Sequence, residues 1–502
     1  MRRLLTCAVA VACGCAHGRS PPDARPVYLE LESAHYVLLT DLPERDAGQT
    51  LGRIENVRGA LIQGSWHGDA LPREKLRVVQ LASSARFHEF ASSGMNAFYQ
   101  PVDLFGEPML VMTADQGGAG DAILQHELAH ALHGSFLPRN PRWFFEGLAC
   151  YLETLRYDPA ADRYTIGEPN QDRLLYLRFH PETDYARVLS TSTREAVLLS
   201  GQDGYAFQSA AWLLVFYLAN ERRPALDDYI QRRARGEAAQ AAFSAAFAGL
   251  DAEALAQEAV RYEKRLQAAA DGRNTSDYRL REVQLPPWEG DVQVRAPPPA
   301  EVEALRAELF FLSPGLPRSM ARLAEARTAA DAALRIDPLQ PLALAVQLAL
   351  AESSNTSPPL ERIRAAGEGR RDDFRAQMLL AFAVGPQRPD ERRAALVRAA
   401  EVAPRNAMVL NALAWHDLTH GRAPEAIAVA QKAAELAPGS AAVLDTLASA
   451  LAASSRCAEA TGVEERAVEL AAEHASAGLG RRLLARLDAM RAGCTAVPLE
   501  AE

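Results

Sequence analysis

Hydrophobic and polar positions change period several times along the chain, and each change marks an element. Val27-Tyr-Leu-Glu-Leu-Glu-Ser and His35-Tyr-Val-Leu-Leu-Thr-Asp41 gather β-forming residues around a short turn, which predicts a hairpin. Leu51, Ile54, Val57 and Leu61 then recur at helical spacing, predicting a helix over residues 46–62. Leu76 to Leu81 reads as a strand and Ala85 to Ser92 as a short helix. Ala97 to Pro101 and Pro108 to Thr113 read as two further strands. Ile123, Leu124, Leu128, Ala129, Ala131 and Leu132 then mark a helix, with Asp121 as its N-cap after a glycine-rich run. A second helix starts where Asn140 can cap and Pro141 suits the first helical position. After Glu153 the pattern is mainly helical, and Gly204 to Leu218 is strongly apolar.

Alanine-rich helical patterning continues to Ala270. Residues 271–300 hold Pro286-Pro287 and Pro297-Pro-Pro299 and lack a helical stripe, so they form a Pro-rich linker or an extended segment laid across a junction. Beyond it lies a repeat. Ala399-Ala-Glu-Val-Ala-Pro404, Ala433-Ala-Glu-Leu-Ala-Pro438 and Ala467-Val-Glu-Leu-Ala-Ala472 recur at offsets of 34 residues, the tetratricopeptide period. Asp337-Pro338 closes an earlier copy and leaves room for two divergent units before Pro404. Residues 301–495 therefore read as an all-α solenoid, whose concave face by default binds a protein partner.

At 502 residues and 48% apolar content, the chain can bury more than one core. A net charge of −10 argues against nucleic acid or an anionic membrane surface as the main partner. The start carries Met1-Arg-Arg-Leu-Leu-Thr-Cys7 and a short apolar run ending at Ala12-Cys13-Gly14-Cys15-Ala16, which reads as an export signal. It looks like a bacterial lipoprotein signal over residues 1–15, with Cys15 or Cys13 lipidated; the alternative is an ordinary signal cut near Ala16. Residues 16–26 would then tether the folded body. No aspartate follows either cysteine, which by the convention of such lipoproteins implies the outer membrane, facing the periplasm. In an oxidising compartment Cys457 and Cys494 are candidates to pair, and Cys150 reads as a small buried residue.

The chemistry sits in His126-Glu127-Leu-Ala-His130. At about 100° per residue the two histidines lie one turn apart on one helical face, the spacing that presents two imidazoles to one metal ion. Glu127 lies beside them. The next helix carries Trp143-Phe-Phe-Glu146-Gly147-Leu-Ala149, and the connection between the two is short.

Here the sequence resembles the gluzincin metallopeptidases, which pair H-E-x-x-H with a downstream glutamate in a W-x-x-E-G-x-A segment. More narrowly, it is similar to bacterial peptidase-MA-like lipoproteins that join such a domain to tetratricopeptide repeats. The resemblance implies an α+β zincin-like domain over residues 27–270, a small sheet plus the H-E-x-x-H helix and a helical subdomain. It implies Zn2+ held by His126, His130 and Glu146, with Glu127 as general base. It also implies a sheet edge that pairs with an extended peptide substrate, and Met109 to Thr113 is the strand expected there. Tyr205, otherwise a residue of a central core helix, would donate to the oxyanion. Two rivals for third ligand are His133, awkwardly placed on the same helix, and Glu153, which alternatively holds a ligand imidazole by hydrogen bond. A reading from another class keeps the fold and drops the chemistry: an envelope lipoprotein scaffold that binds partners through its repeats.

Overall fold

The structure, a computed structural model, describes residues 27–65, 75–92, 95–100, 103–115, 120–136, 140–191, 201–270, 278–312, 319–474 and 477–494. The export signal, Cys13, Cys15 and the tether lie outside the described residues. Among those described, no helix is long and apolar enough to cross a membrane.

A six-stranded mixed sheet organises the first half. Its strands are β1 (Leu29–Glu32), β2 (Tyr36–Thr40), β3 (Leu76–Leu81), β4 (Ala97–Gln100), β5 (Met109–Thr113) and, from far along the chain, β9 (Gln293–Arg295). The order is β4-β5-β3-β2-β1-β9. β1 and β2 form the expected antiparallel hairpin. β2, β3 and β5 run parallel, and β4 and β9 close the two ends antiparallel.

Period-two alternation sends successive side chains to opposite faces, and both faces are covered. Leu38, Val78, Leu110 and Met112 pack in one core with Leu51 and Ile54 of the helix Glu44–Ser65 and Leu124 and Leu128 of the helix Gly120–Phe136. Val79, Leu81, Met109 and Val111 pack on the other side against Leu305, Leu309 and Phe310 of the helix Pro299–Leu312. The sheet is thus the middle of three layers. Its far layer belongs to the region expected to be a separate solenoid.

Three expectations need correction. Met109–Thr113 is not an edge strand: it lies between β3 and β4, and all five residues are buried. An unbroken apolar run marks a strand covered on both faces, whereas an edge strand shows polar, partly exposed positions, as Tyr99 and Gln100 do in β4. Residues 278–300 are not a free linker but the extended alternative. Within them, β8 (Arg281–Val283) joins β6 (Arg156–Asp158) and β7 (Arg163–Ile166) in a three-stranded sheet absent from the sequence reading, and β9 caps β1. The Trp288 backbone N–H donates to Asn56 Oδ1 at 2.8 Å. Proline suits such a segment because it needs no ladder donor. Third, Asn140 does not cap its helix, as described below.

The second half is a stack of helix pairs with the expected period. Helices begin at Ala407 and Ala441, and their partners at Ala423 and Cys457, each 34 residues on. Asn406 accepts from the Met408 and Val409 N–H groups, and Ser440 from Val443, so each first helix carries its own cap. Gly421, at φ +75°, makes the turn between paired helices, a region that favours glycine. Cys457 and Cys494 form a disulfide, Cα atoms 5.8 Å apart, tying the helix Cys457–His474 to the end of the helix Ala477–Arg491.

Candidate metal centre

His126 and His130 project from the helix Gly120–Phe136, and Glu146 from the helix Arg142–Leu152 packed beside it. All three are buried, at 9%, 7% and 3% exposure. His126 Nε2 and His130 Nε2 lie 3.0 Å apart. The Glu146 carboxylate oxygens lie 3.6 Å from the first and 3.5 Å from the second. Zinc–nitrogen bonds of about 2.0–2.1 Å would put neighbouring donors of a tetrahedron about 3.3–3.4 Å apart. The three donor groups therefore already stand at the separation a small divalent ion requires, and they can hold a metal.

The helix ends differ in detail from expectation. Asp121 lies in the first turn rather than at the cap and pairs with Arg53 at 3.0 Å, a favourable place for a carboxylate at a helix N-terminus. Pro141 takes the N-cap position of the Glu146 helix. Asn140 Oδ1 instead accepts from Tyr229 Oη and Arg233 Nε, both at 3.3 Å, because the chain turns inward there and buries the amide.

Each ligand candidate is held from behind. Arg142 Nη2 lies 2.6 Å from Glu146 Oε1, one turn earlier on the same helix. Gln208 Nε2 donates to Glu146 Oε2 at 3.1 Å from the helix Gly201–Glu221. That helix comes close because residue 147 is glycine: a Cβ there would stand 2.3 Å from the Ala211 carbonyl oxygen. His126 Nδ1 bonds Glu153 Oε1 at 2.8 Å, which leaves Nε2 free to face a metal. Glu153 is itself clamped by Arg173 Nη2 at 2.7 Å and by Asn170 Nδ2 at 3.0 Å. Burial opposes its charge, but Arg173 and the His126 hydrogen bond win and hold the carboxyl down at about 2. Glu153 thus takes the orienting role rather than that of third ligand.

Cys150 lies 4.0 Å from His126 Nδ1 and with Glu153 makes a second donor group. Burial pushes its thiol up to about 11, and His126 Nδ1 is already engaged by Glu153. The Glu146 group is the better metal site. His133 is buried at 1% exposure, its ring edge-on to Phe145, and joins neither group. Phe145 also stacks on His130 at 4.5 Å, walling the site with apolar surface. Glu127 is partly buried beside the ligands. Burial pushes its carboxyl up, the charge of His126 opposes this, and Glu146 and Glu153 reinforce it. Tyr205 has its ring over Arg173 at 5.3 Å and edge-on to Tyr176 at 5.1 Å. It stands beside the Glu153–Arg173 pair, and its ring contacts run to Arg173 and Tyr176.

Arg142 stands at i, i+4 spacing from Glu146, so this partner is readable from sequence. Arg173, Asn170 and Gln208 gave no sequence signal, because each reaches the site through tertiary packing.

Among solved structures, TTC0263, a thermophilic TPR protein in Thermus thermophilus, is similar at 18% identity, with a TM-score of 0.29 over 38% of this chain and 99% of that one. A MamA protein is similar at 17% identity, with a TM-score of 0.26 over 34% and 91%. No curated protein matches the chain. A family model described as "Protein of unknown function (DUF1570)" matches residues 122–238, the span that carries His126, Glu127, His130, Glu146, Glu153 and Arg173.

Proposed function

We propose that the chain is a zinc-dependent peptidase of the gluzincin type, exported to the bacterial cell envelope and anchored there by an N-terminal lipid. The observation that carries this reading is the convergence of two imidazole nitrogens and a carboxylate at 3.0–3.6 Å, with Glu127 beside them. Two nitrogens and one oxygen, with a position left open, is the donor set of catalytic zinc rather than of thiolate-rich structural zinc. Zinc bound there would supply a Lewis acid and an acidified water.

The residues divide the remaining work. Glu127 takes the proton of the attacking water and returns it to the leaving amine, a role its upward-shifted carboxyl suits. Glu153, fixed by Arg173, keeps His126 in one tautomer. Arg142 and Gln208 hold Glu146 in place. β4, the end strand of the sheet among the described residues, packs near the His126 helix and is the edge on which an extended peptide would lie. Tyr205, whose ring lies against Arg173, would donate to the oxyanion. The Cys457–Cys494 disulfide supports an oxidising compartment.

The test is elemental analysis of the soluble chain beginning after Cys15. About one zinc per chain is expected, lost in His130→Ala and sharply reduced in Glu146→Ala. Glu127→Gln should keep the metal and lose peptide hydrolysis. Full hydrolysis by Glu127→Gln would remove the base from the mechanism. A chain that takes up no zinc at neutral pH would leave the scaffold reading, in which only the repeats act.

A further inference from the structure

Behind the start of the Glu146 helix lies a cavity of about 670 Å³, within the size range of small-molecule sites. Its walls are mainly apolar: Trp143, Tyr229, Phe243, Phe247, Leu250 and Leu255. One cation lines it. Arg233 is 3% exposed, and among the described residues no carboxylate pairs with it. Nε donates to Asn140 Oδ1 and Nη1 to the Glu237 carbonyl, both neutral acceptors. Nη2 is buried and has no partner among the described residues.

The nearby acids do not cancel this charge. The Glu237 carboxylate pairs with Arg232 at 3.0 Å. Asp251, the one acid in the cavity lining, is exposed, accepts from the Ala254 N–H at 2.8 Å and makes no ion pair with Arg233 among the described residues. A guanidinium removed from water without a counter-ion is costly, so charged groups this buried are ordinarily paired. An anion arriving from the cavity would supply the missing partner, and its apolar body would fill the aromatic walls.

We propose that this cavity binds a small apolar carboxylate, its head group against the Arg233 guanidinium and its hydrocarbon body against Trp143, Phe243 and Phe247. The site is separate from the metal donors, and the proposal stands whether or not the chain hydrolyses peptides.

Calorimetric titration of the full chain with decanoate, and separately with N-acetylphenylalanine, tests it; the two probes distinguish a fatty acid from an amino-acid carboxylate as the source. Saturable binding of at least one is expected, with its neutral counterpart, decanol or N-acetylphenylalanine amide, at least tenfold weaker. Arg233→Met should abolish that preference while leaving the neutral probe unchanged. Should that variant fail to fold, Ser244→Trp, at an exposed position of the lining, must weaken whichever carboxylate binds at least tenfold. No binding of either carboxylate, equal affinity for acid and neutral probe, or unchanged affinity in Ser244→Trp would overturn the proposal.

Discussion

Glu153 is 27 residues from His126 in sequence and 2.8 Å from it in space. Its hydrogen bond decides which imidazole nitrogen faces the metal, so its loss should cost affinity without removing a ligand. Glu153→Gln or Arg173→Met is expected to weaken zinc binding about 10–100-fold, measured by competition with a chelator. An unchanged affinity would return His126 to orientation by its own helix alone. The two histidines were legible because helical spacing alone places them on one face, and Glu146 was legible through the W-x-x-E-G-x-A resemblance. Arg173 was not, because the chain passes through the hairpin of β6 and β7 before returning to Glu153.

Glu464 lies in the last repeats, on the helix Cys457–His474. It is fully buried, and neither carboxylate oxygen has a partner among the described residues. Burial, reinforced by Asp445 and opposed by Arg486, pushes it up to about 8. Between the unfolded carboxyl range and about pH 8 the folded chain holds a proton that the unfolded chain has lost. Stability is therefore greatest on the acid side and falls as pH rises through this window, by at most about 1.4 kcal/mol per pH unit. Urea midpoints measured from pH 5 to pH 8 should decline in the native chain and decline less steeply in Glu464→Gln, where the raised carboxyl of Glu308 still contributes.

At the scale of elements, the Glu146 helix depends on one absent methyl group. A Cβ at residue 147 would meet the Ala211 carbonyl at 2.3 Å, and backbone cannot turn aside as a side chain can. Gly147→Ala should destabilise by about 1–3 kcal/mol and draw Glu146 from its histidines, lowering metal affinity in the same variant. Native stability and native zinc affinity together would show that the two helices slide freely. The terminal repeat has a different fastening. Reducing Cys457–Cys494 should cost about 2–4 kcal/mol and loosen the last helices first, visible as faster amide exchange there. Element type was readable from apolar period almost throughout. Strand position was not, because burial on both faces depends on helices nearly two hundred residues further on.

For the whole molecule, the boundary between the sheet-bearing domain and the repeats exists along the sequence but not in the packing. The apolar core behind the sheet includes β3 and β5 residues together with the first helices of the repeat region. Charges cross the same junction. Arg77 pairs with Asp103 at 2.5 Å and with Glu308 at 3.5 Å, and Arg375 pairs with Glu107. Burial pushes Glu308 up to about 7 despite Arg77. A fragment of residues 27–270 should therefore aggregate or bind a hydrophobic dye, whereas the full chain should not. Cooperative thermal unfolding of that fragment would make the shared core dispensable. The 34-residue period revealed the solenoid, but sequence gave no means of seeing that its first turns double as the back of the sheet.

The shared layer also sets a timetable for biogenesis. β3 is complete at Leu81, yet the helix that covers its rear face ends only at Leu312. At roughly 5–20 residues per second of synthesis, that wait is on the order of tens of seconds. During it the strands have apolar surface on both sides and cover on one at most. A nascent chain in that condition cannot settle early into its final shape, which makes it a client for chaperones until the first repeats emerge.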